Sequence, residues 1–422
     1  MSFAKVIFFS IFQPLRKFKQ ETIMELMKLI VRVFIGIFIF LNTFHYATSV
    51  EETCFYVSFL IAIILATSHK IDFSFESPLT LPFVFFVSWA MINLFFALNK
   101  ENSIIDIYGH LLKNLVFYYI LINFFNSRSR LVSLAWYFVI SAAAYSIAFM
   151  VYFYLVLGNS LSILFRIHPY LDYLYVFAFL LSLQLLSGET KIMNRIALLV
   201  CLIGTAGATI LTQTRTALLA IIISLIILFM KNKKVMGFFV ILFLLPFVLS
   251  PYFGKRLTMS AIWDHKNIRI GTTFLFIEMI KDYPITGIGF GMQTYDDPKL
   301  LAIYNNKVPP EFKQDPPIAS PHNLFTDVAV RLGLVGLALL IYILFIFIRM
   351  GRKLMRPRND VFIRKWTLCL SAGFVAFFIQ AMFSDATFGI QAIVFYTLLA
   401  MMTILWRMNP QPDRPREAKR TP

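Results

Sequence analysis

The stretch NLFTDVAVRLGLVGLALLIYILFIFI, residues 323–348, decides what kind of protein this is. It carries only two charged side chains, Asp327 and Arg331, both near its start. An α-helix rises about 1.5 Å per residue, so roughly 20 apolar residues cross the ~30 Å hydrocarbon layer of a bilayer. This run is long enough, and it is not alone. Similar runs cover approximately 29–46, 54–68, 79–97, 108–125, 131–156, 170–187, 194–211, 216–230, 236–250, 366–383 and 389–406. Across the 422 residues, 59% are hydrophobic, 17% aromatic and 14% charged, and the mean hydropathy is +0.74. Soluble domains carry about a quarter charged residues. The expected fold is therefore an all-α polytopic membrane protein with about twelve transmembrane helices. Residues 1–422 read as a single integral membrane domain without internal repeats, and one long polar segment, about 251–321, falls between the ninth and tenth helices.

The net charge of +17 would suit a nucleic-acid partner, but its distribution points elsewhere. Lys and Arg gather in alternate loops, as cytoplasmic loops do. They mark the N-terminus, Lys70, Arg128 and Arg130, Lys191 and Arg195, and Lys231 to Lys234. The loop 349–365 and the basic tail 407–422 complete the series. An even number of spans then puts both termini in the cytoplasm and the 251–321 loop outside. Residues 1–28 read as an amphipathic strip on the cytoplasmic leaflet, in contact with membrane lipids. The three cysteines, Cys54, Cys201 and Cys369, lie in or beside spans, with neither a disulfide framework nor zinc-ligand spacing.

An ionisable residue at or inside a span is costly and so is a functional candidate. Four stand out, all on the expected outer side. Arg215, in ILTQTRTALLAIII, either snorkels to headgroups or is held by the hydrogen-bonding side chains of TQTRT. The second reading fits the local sequence better. His322 opens the tenth span, either as a structural residue before an Asn323 cap or as a proton acceptor near neutral pH. Asp385, in FSDATFG, either caps the last helix or faces the site. Arg269 lies in the amphipathic stretch NIRIGTTFLFIEMIKDYP of the outer loop. Arg166 in FRIHPY, and His110 with Lys113, are either interfacial anchors or contacts for an anionic ligand. Asp327 and Arg331, four apart on one helix, read as an internal ion pair. The glycines of ITGIGFGM, Gly287, Gly289 and Gly291, lack the strand–turn–helix context of a nucleotide loop. They read instead as a tight turn that brings backbone close to another chain or a ligand.

Together these pieces resemble the bacterial O-antigen ligase family, within the superfamily of O-antigen ligases, polymerases and protein O-oligosaccharyltransferases. The resemblance rests on His322-Asn323 followed by the GLVG turn at Gly333, and on Arg269 through Asp282-Tyr283-Pro284 to Gly287-Ile288-Gly289. LTQTRTALLA around Arg215 and SDATF around Asp385 add to it. The chain departs from the family at Arg331, where an acid is frequent, and at Thr273, where a Trp is common. The resemblance implies a GT-C-like glycosyltransferase architecture in the inner membrane. It also implies transfer of a polysaccharide from undecaprenyl pyrophosphate to a sugar of lipid A–core. Arg215 would hold the pyrophosphate and His322 would act as base. Arg269, Arg166, Asp385 and Asn323 would contact substrate, and neither cofactor nor metal is expected. The alternatives are an O-antigen polymerase and, from a different class, a membrane transporter. Transporters of this size usually show repeats and midplane charges, which are not visible here.

Overall fold

The computed structural model describes residues 23–44, 47–68, 71–160, 165, 171–249, 259–384, 386 and 389–409. Most of residues 1–28, and Arg166, Asp385 and residues 410–422, lie outside the described residues. The described elements are helices: α1 (Ile23–Phe44), α2 (Thr48–Thr67), α3 (Thr80–Asn93), α4 (Lys100–Phe124), α5 (Arg128–Val156), α6 (Asp172–Leu186) and α7 (Ile192–Leu211). After these come α8 (Arg215–Phe229), α9 (Lys233–Leu249), α10 (Met259–Asp282), α11 (Pro298–Asn305), α12 (Leu324–Leu354), α13 (Val361–Ala381) and α14 (Gly389–Met408). Each of the twelve apolar runs overlaps a described helix. Among the described residues, seven helices are long and apolar enough to cross a membrane, namely α2, α4, α5, α7, α12, α13 and α14. The helices α3, α6 and α8 are apolar but shorter.

The bundle centres on α14, which packs on α4, α6, α12 and α13. Around it, α1 pairs with α2 and α5, α6 with α7 and α13, and α8 with α13. Aromatic stacking fills the centre, with Phe347 on α12 and Phe374 on α13 lying 4.0 Å apart and nearly parallel. At one end of the bundle, Arg407 of α14 donates to the backbone carbonyls of Ser74, Glu76 and Ile122, so the first residue of the expected basic tail is a structural tie. Lys113, a candidate anchor, pairs with Glu52 and lies over the Phe38 and Phe55 rings. Its neighbour His110 stands 3.7 Å from the Asp106 carboxylate.

At the opposite end, the polar segment is more ordered than its composition implies. Its helices α10 and α11 build a small core of their own, with Leu275, Phe276, Met279, Ile288, Tyr295 and Tyr304 buried against Val330 of α12. Apolar spacing along α10 supplies one wall of that core, and Asp297 caps α11 by accepting from the Lys299 amide. A backbone strap, residues 283–292, then crosses α12 where that helix breaks. Gly333 has φ +68 inside α12, a left-handed conformation that interrupts the hydrogen-bond ladder. Strap amides satisfy the freed carbonyls: Ile288 donates to Val330 and Gly289 to Arg331, while Trp89 Nε1 donates to Leu332. Leu334 in turn donates to Pro284. A Cβ on Gly333 would lie 1.9 Å from the Ile285 carbonyl oxygen, so only glycine permits this approach. The glycine turn therefore meets the chain's own helix rather than a second chain or a ligand.

Arg331 is sealed beneath the strap. Its side chain donates to Asp327 and to the Phe290 carbonyl, lies over the Phe290 ring, and is 2% exposed. Tyr295 donates to the other Asp327 oxygen. The ion pair expected from the i, i+4 spacing is present, and it is a buried one.

Candidate functional site

Three of the expected cationic or titratable residues converge at the end of the bundle that carries the strap. Arg215 is the first residue of α8, directly after the extended N-cap residue Thr214. The α7–α8 corner is tight because Gln213 takes a left-handed φ of 51°. Thr212 and Gln213 are buried in it. Thr212 donates back to the Thr209 carbonyl. The Gln213 Nε2 group is buried without a partner among the described residues.

Arg269 projects from α10, with its guanidinium 4.9 Å from the Phe383 ring centre. Partial burial of that head, and then the charge of Arg215, hold its pKa below the usual arginine value. His322 precedes α12 in a left-handed conformation, φ 47°. Burial, and then the charge of Arg269, push its imidazole below the usual histidine range. At neutral pH the ring is therefore mainly uncharged, with a lone pair available. Ser320 Oγ lies 3.2 Å from its Nδ1. With Nδ1–H donating to that hydroxyl, Nε2 is the accepting nitrogen. Arg215, Arg269 and His322 thus form a chain in which each group senses the next.

The corner between α13 and α14 closes the cluster. Asn323 caps α12 by accepting from the Phe325 and Thr326 amides, and its Nδ2 donates to the Met382 carbonyl. Both ends of that side chain are engaged within the protein, so it ties the start of α12 to the α13–α14 corner. Ser384 Oγ lies 2.5 Å from Tyr173 Oη at the start of α6. Asp385 follows Ser384 directly, though it and Arg166 lie outside the described residues. Sequence reasoning did not find Tyr173 and Phe383. A tyrosine or phenylalanine near the end of an apolar helix resembles any interfacial aromatic, so no local signal separates these residues from their neighbours.

Residues 197–341 match the family described as O-antigen ligase. The O-antigen ligase match takes in Arg215, Arg269, the strap, His322 and the break at Gly333, and it ends before Phe383. No curated protein matches the chain. Two departures from the family have structural consequences. Arg331 is neutralised in place by Asp327, and Thr273 turns back to donate to the Arg269 carbonyl, one turn earlier on α10. Among the described residues, no group of three His, Cys, Asp or Glu side chains is placed to hold a metal ion.

Proposed function

We propose that this protein is an O-antigen ligase. It moves a polysaccharide from undecaprenyl pyrophosphate to a sugar hydroxyl of lipid A–core, at the outer face of the bacterial inner membrane. The observation that carries this reading is the alignment of Arg215, Arg269 and His322 at one corner. Two guanidinium groups, with Arg215 close enough to disfavour the charge on Arg269, suit a concentrated dianionic ligand such as a lipid diphosphate, which arginine binds as a planar fork. As the sugar–pyrophosphate bond breaks, charge grows on the leaving oxygen, and preorganised cations stabilise it.

The acceptor hydroxyl attacks the anomeric carbon and gives its proton to His322 Nε2. The C–O bond to pyrophosphate breaks in the same step, so the sugar inverts and no covalent enzyme intermediate forms. The topology proposed from the charge pattern, twelve crossings with both termini inside, supports this placement. Arg407, bonded to Ile122, and Arg128, paired with Asp360, lie at the end opposite the cluster. Asp385, beside Ser384, and Arg166 are proposed as further substrate contacts.

Deletion in the native bacterium tests the reading. Loss of a ligase leaves uncapped core and accumulated lipid-linked polymer. Core capped with one repeat would instead identify a polymerase, and unchanged lipopolysaccharide would overturn both readings.

A further inference from the structure

A second cleft lies at the same end of the bundle, between the start of α4 and the stretch that leads into α11. Its volume is about 390 Å³, which falls in the ~300–1,000 Å³ range of small-molecule sites. Its walls are rigidly joined. The Gly291 amide donates to Ser103, the Met292 amide to Asp106 and the Gln293 amide to Asn102, all across the two sides. Preformed sites of this kind spend little free energy on ordering when they bind.

The lining is mixed in charge and rich in groups not used by the fold. Asn99 and Asp297 each cap a helix with one oxygen, which fixes their remaining polar atoms in place. Lys100, Glu101 and Gln293 are exposed there, with no side-chain hydrogen bond or ion pair among the described residues. Thr294 is 4% exposed, lines the cleft, and has a hydroxyl without a partner among the described residues.

The chemistry selects the ligand class. One lysine against two carboxylates disfavours an anion such as phosphate, and the lysine disfavours a cation. Only Leu98 and Leu300 offer apolar surface, too little for a lipid chain. A neutral polyhydroxyl ligand suits the set, because amide, carboxylate and ammonium groups together supply both donors and acceptors. The two leucines can meet sugar C–H faces. We infer that this cleft binds carbohydrate, and specifically the polysaccharide of the donor beyond its first repeat. The donor assignment rests on the proposed function. With the pyrophosphate at the arginines, the rest of the polymer must run over this end of the bundle.

The test uses the purified full-length protein with two delipidated probes, the O-polysaccharide and the core oligosaccharide. Binding is followed by saturation-transfer NMR and titration. The polysaccharide should bind, and Gln293→Ala, Glu101→Ala and Thr294→Val should each weaken it about fivefold, as loss of one hydrogen bond does. In transfer assays the same variants should raise KM for a long donor, leave kcat unchanged, and leave a single-repeat donor unaffected. Unaltered polysaccharide affinity in all three variants would overturn the proposal. Weakened binding of core oligosaccharide alone would overturn the donor assignment. The binding measurement needs no turnover. A wild-type protein that binds polysaccharide but transfers nothing would therefore count against the ligase reading and not against the cleft.

Discussion

Two arginine environments at the same end of the molecule are handled in opposite ways. Beneath the strap, Arg331 meets a carboxylate, a carbonyl and an aromatic face, and Tyr295 completes the Asp327 side. At the α13–α14 corner, Arg269 meets the Phe383 face and the repulsive field of Arg215, and His322 in turn feels Arg269. A buried charge that serves only the fold comes with its neutralising partner, because desolvating it alone is costly. Arg269 instead lies against an aromatic face, with a second guanidinium near enough to disfavour its charge. That difference separates the structural arginine from those proposed for catalysis.

The comparison breaks first at Arg215. Arg215→Lys keeps the charge but loses the fork, and transfer should fall about 10²–10³-fold with protein abundance unchanged. Measured capping in membranes of matched protein content checks this. Near-normal capping would mean that the site needs only a positive charge.

Arg331 should respond in stability instead. Arg331→Met leaves Asp327 charged and buried, at a cost of about 3–5 kcal/mol. The thermal midpoint in detergent should drop, and adding Asp327→Leu should restore much of the loss. An unchanged midpoint in the single variant would show that this pair does not hold the strap on α12.

The pH profile sharpens the comparison at the corner. His322 must be neutral to accept a proton, so activity is lost as pH falls through its depressed pKa. Burial and Arg269 both push that pKa down. Arg269→Gln removes the second cause, so the acid limb of kcat/KM should move to higher pH. A limb that stays in place would mean that His322 is not the titrating base.

The smallest expected effect is none at all. If the two guanidinium groups neutralise the pyrophosphate, excess EDTA should leave transfer by purified protein undiminished. Asp297, the second acid of the adjacent pair Asp296-Asp297 in the outer segment, is already engaged as the α11 cap. Activity that vanished in EDTA and returned with magnesium or manganese would replace the arginine mechanism, with Asp296-Asp297 as the leading site.

Local sequence was enough to mark the apolar runs that became helices and the i, i+4 pair of Asp327 and Arg331, because run length and helical spacing are properties of neighbouring residues. It also marked Arg215, Arg269 and His322, since charge next to a long apolar run is visible without any fold. Only the tertiary structure decided what those residues meet. Tyr173 reaches Ser384 across 211 positions, and Trp89 reaches Leu332 across 243. The polar segment became helices with a core because Val330, from a distant apolar run, completes it. The break at Gly333 is tolerated only because the strap arrives to satisfy the carbonyls it frees. Contacts of this kind depend on closing long loops, and no periodicity within one segment encodes them.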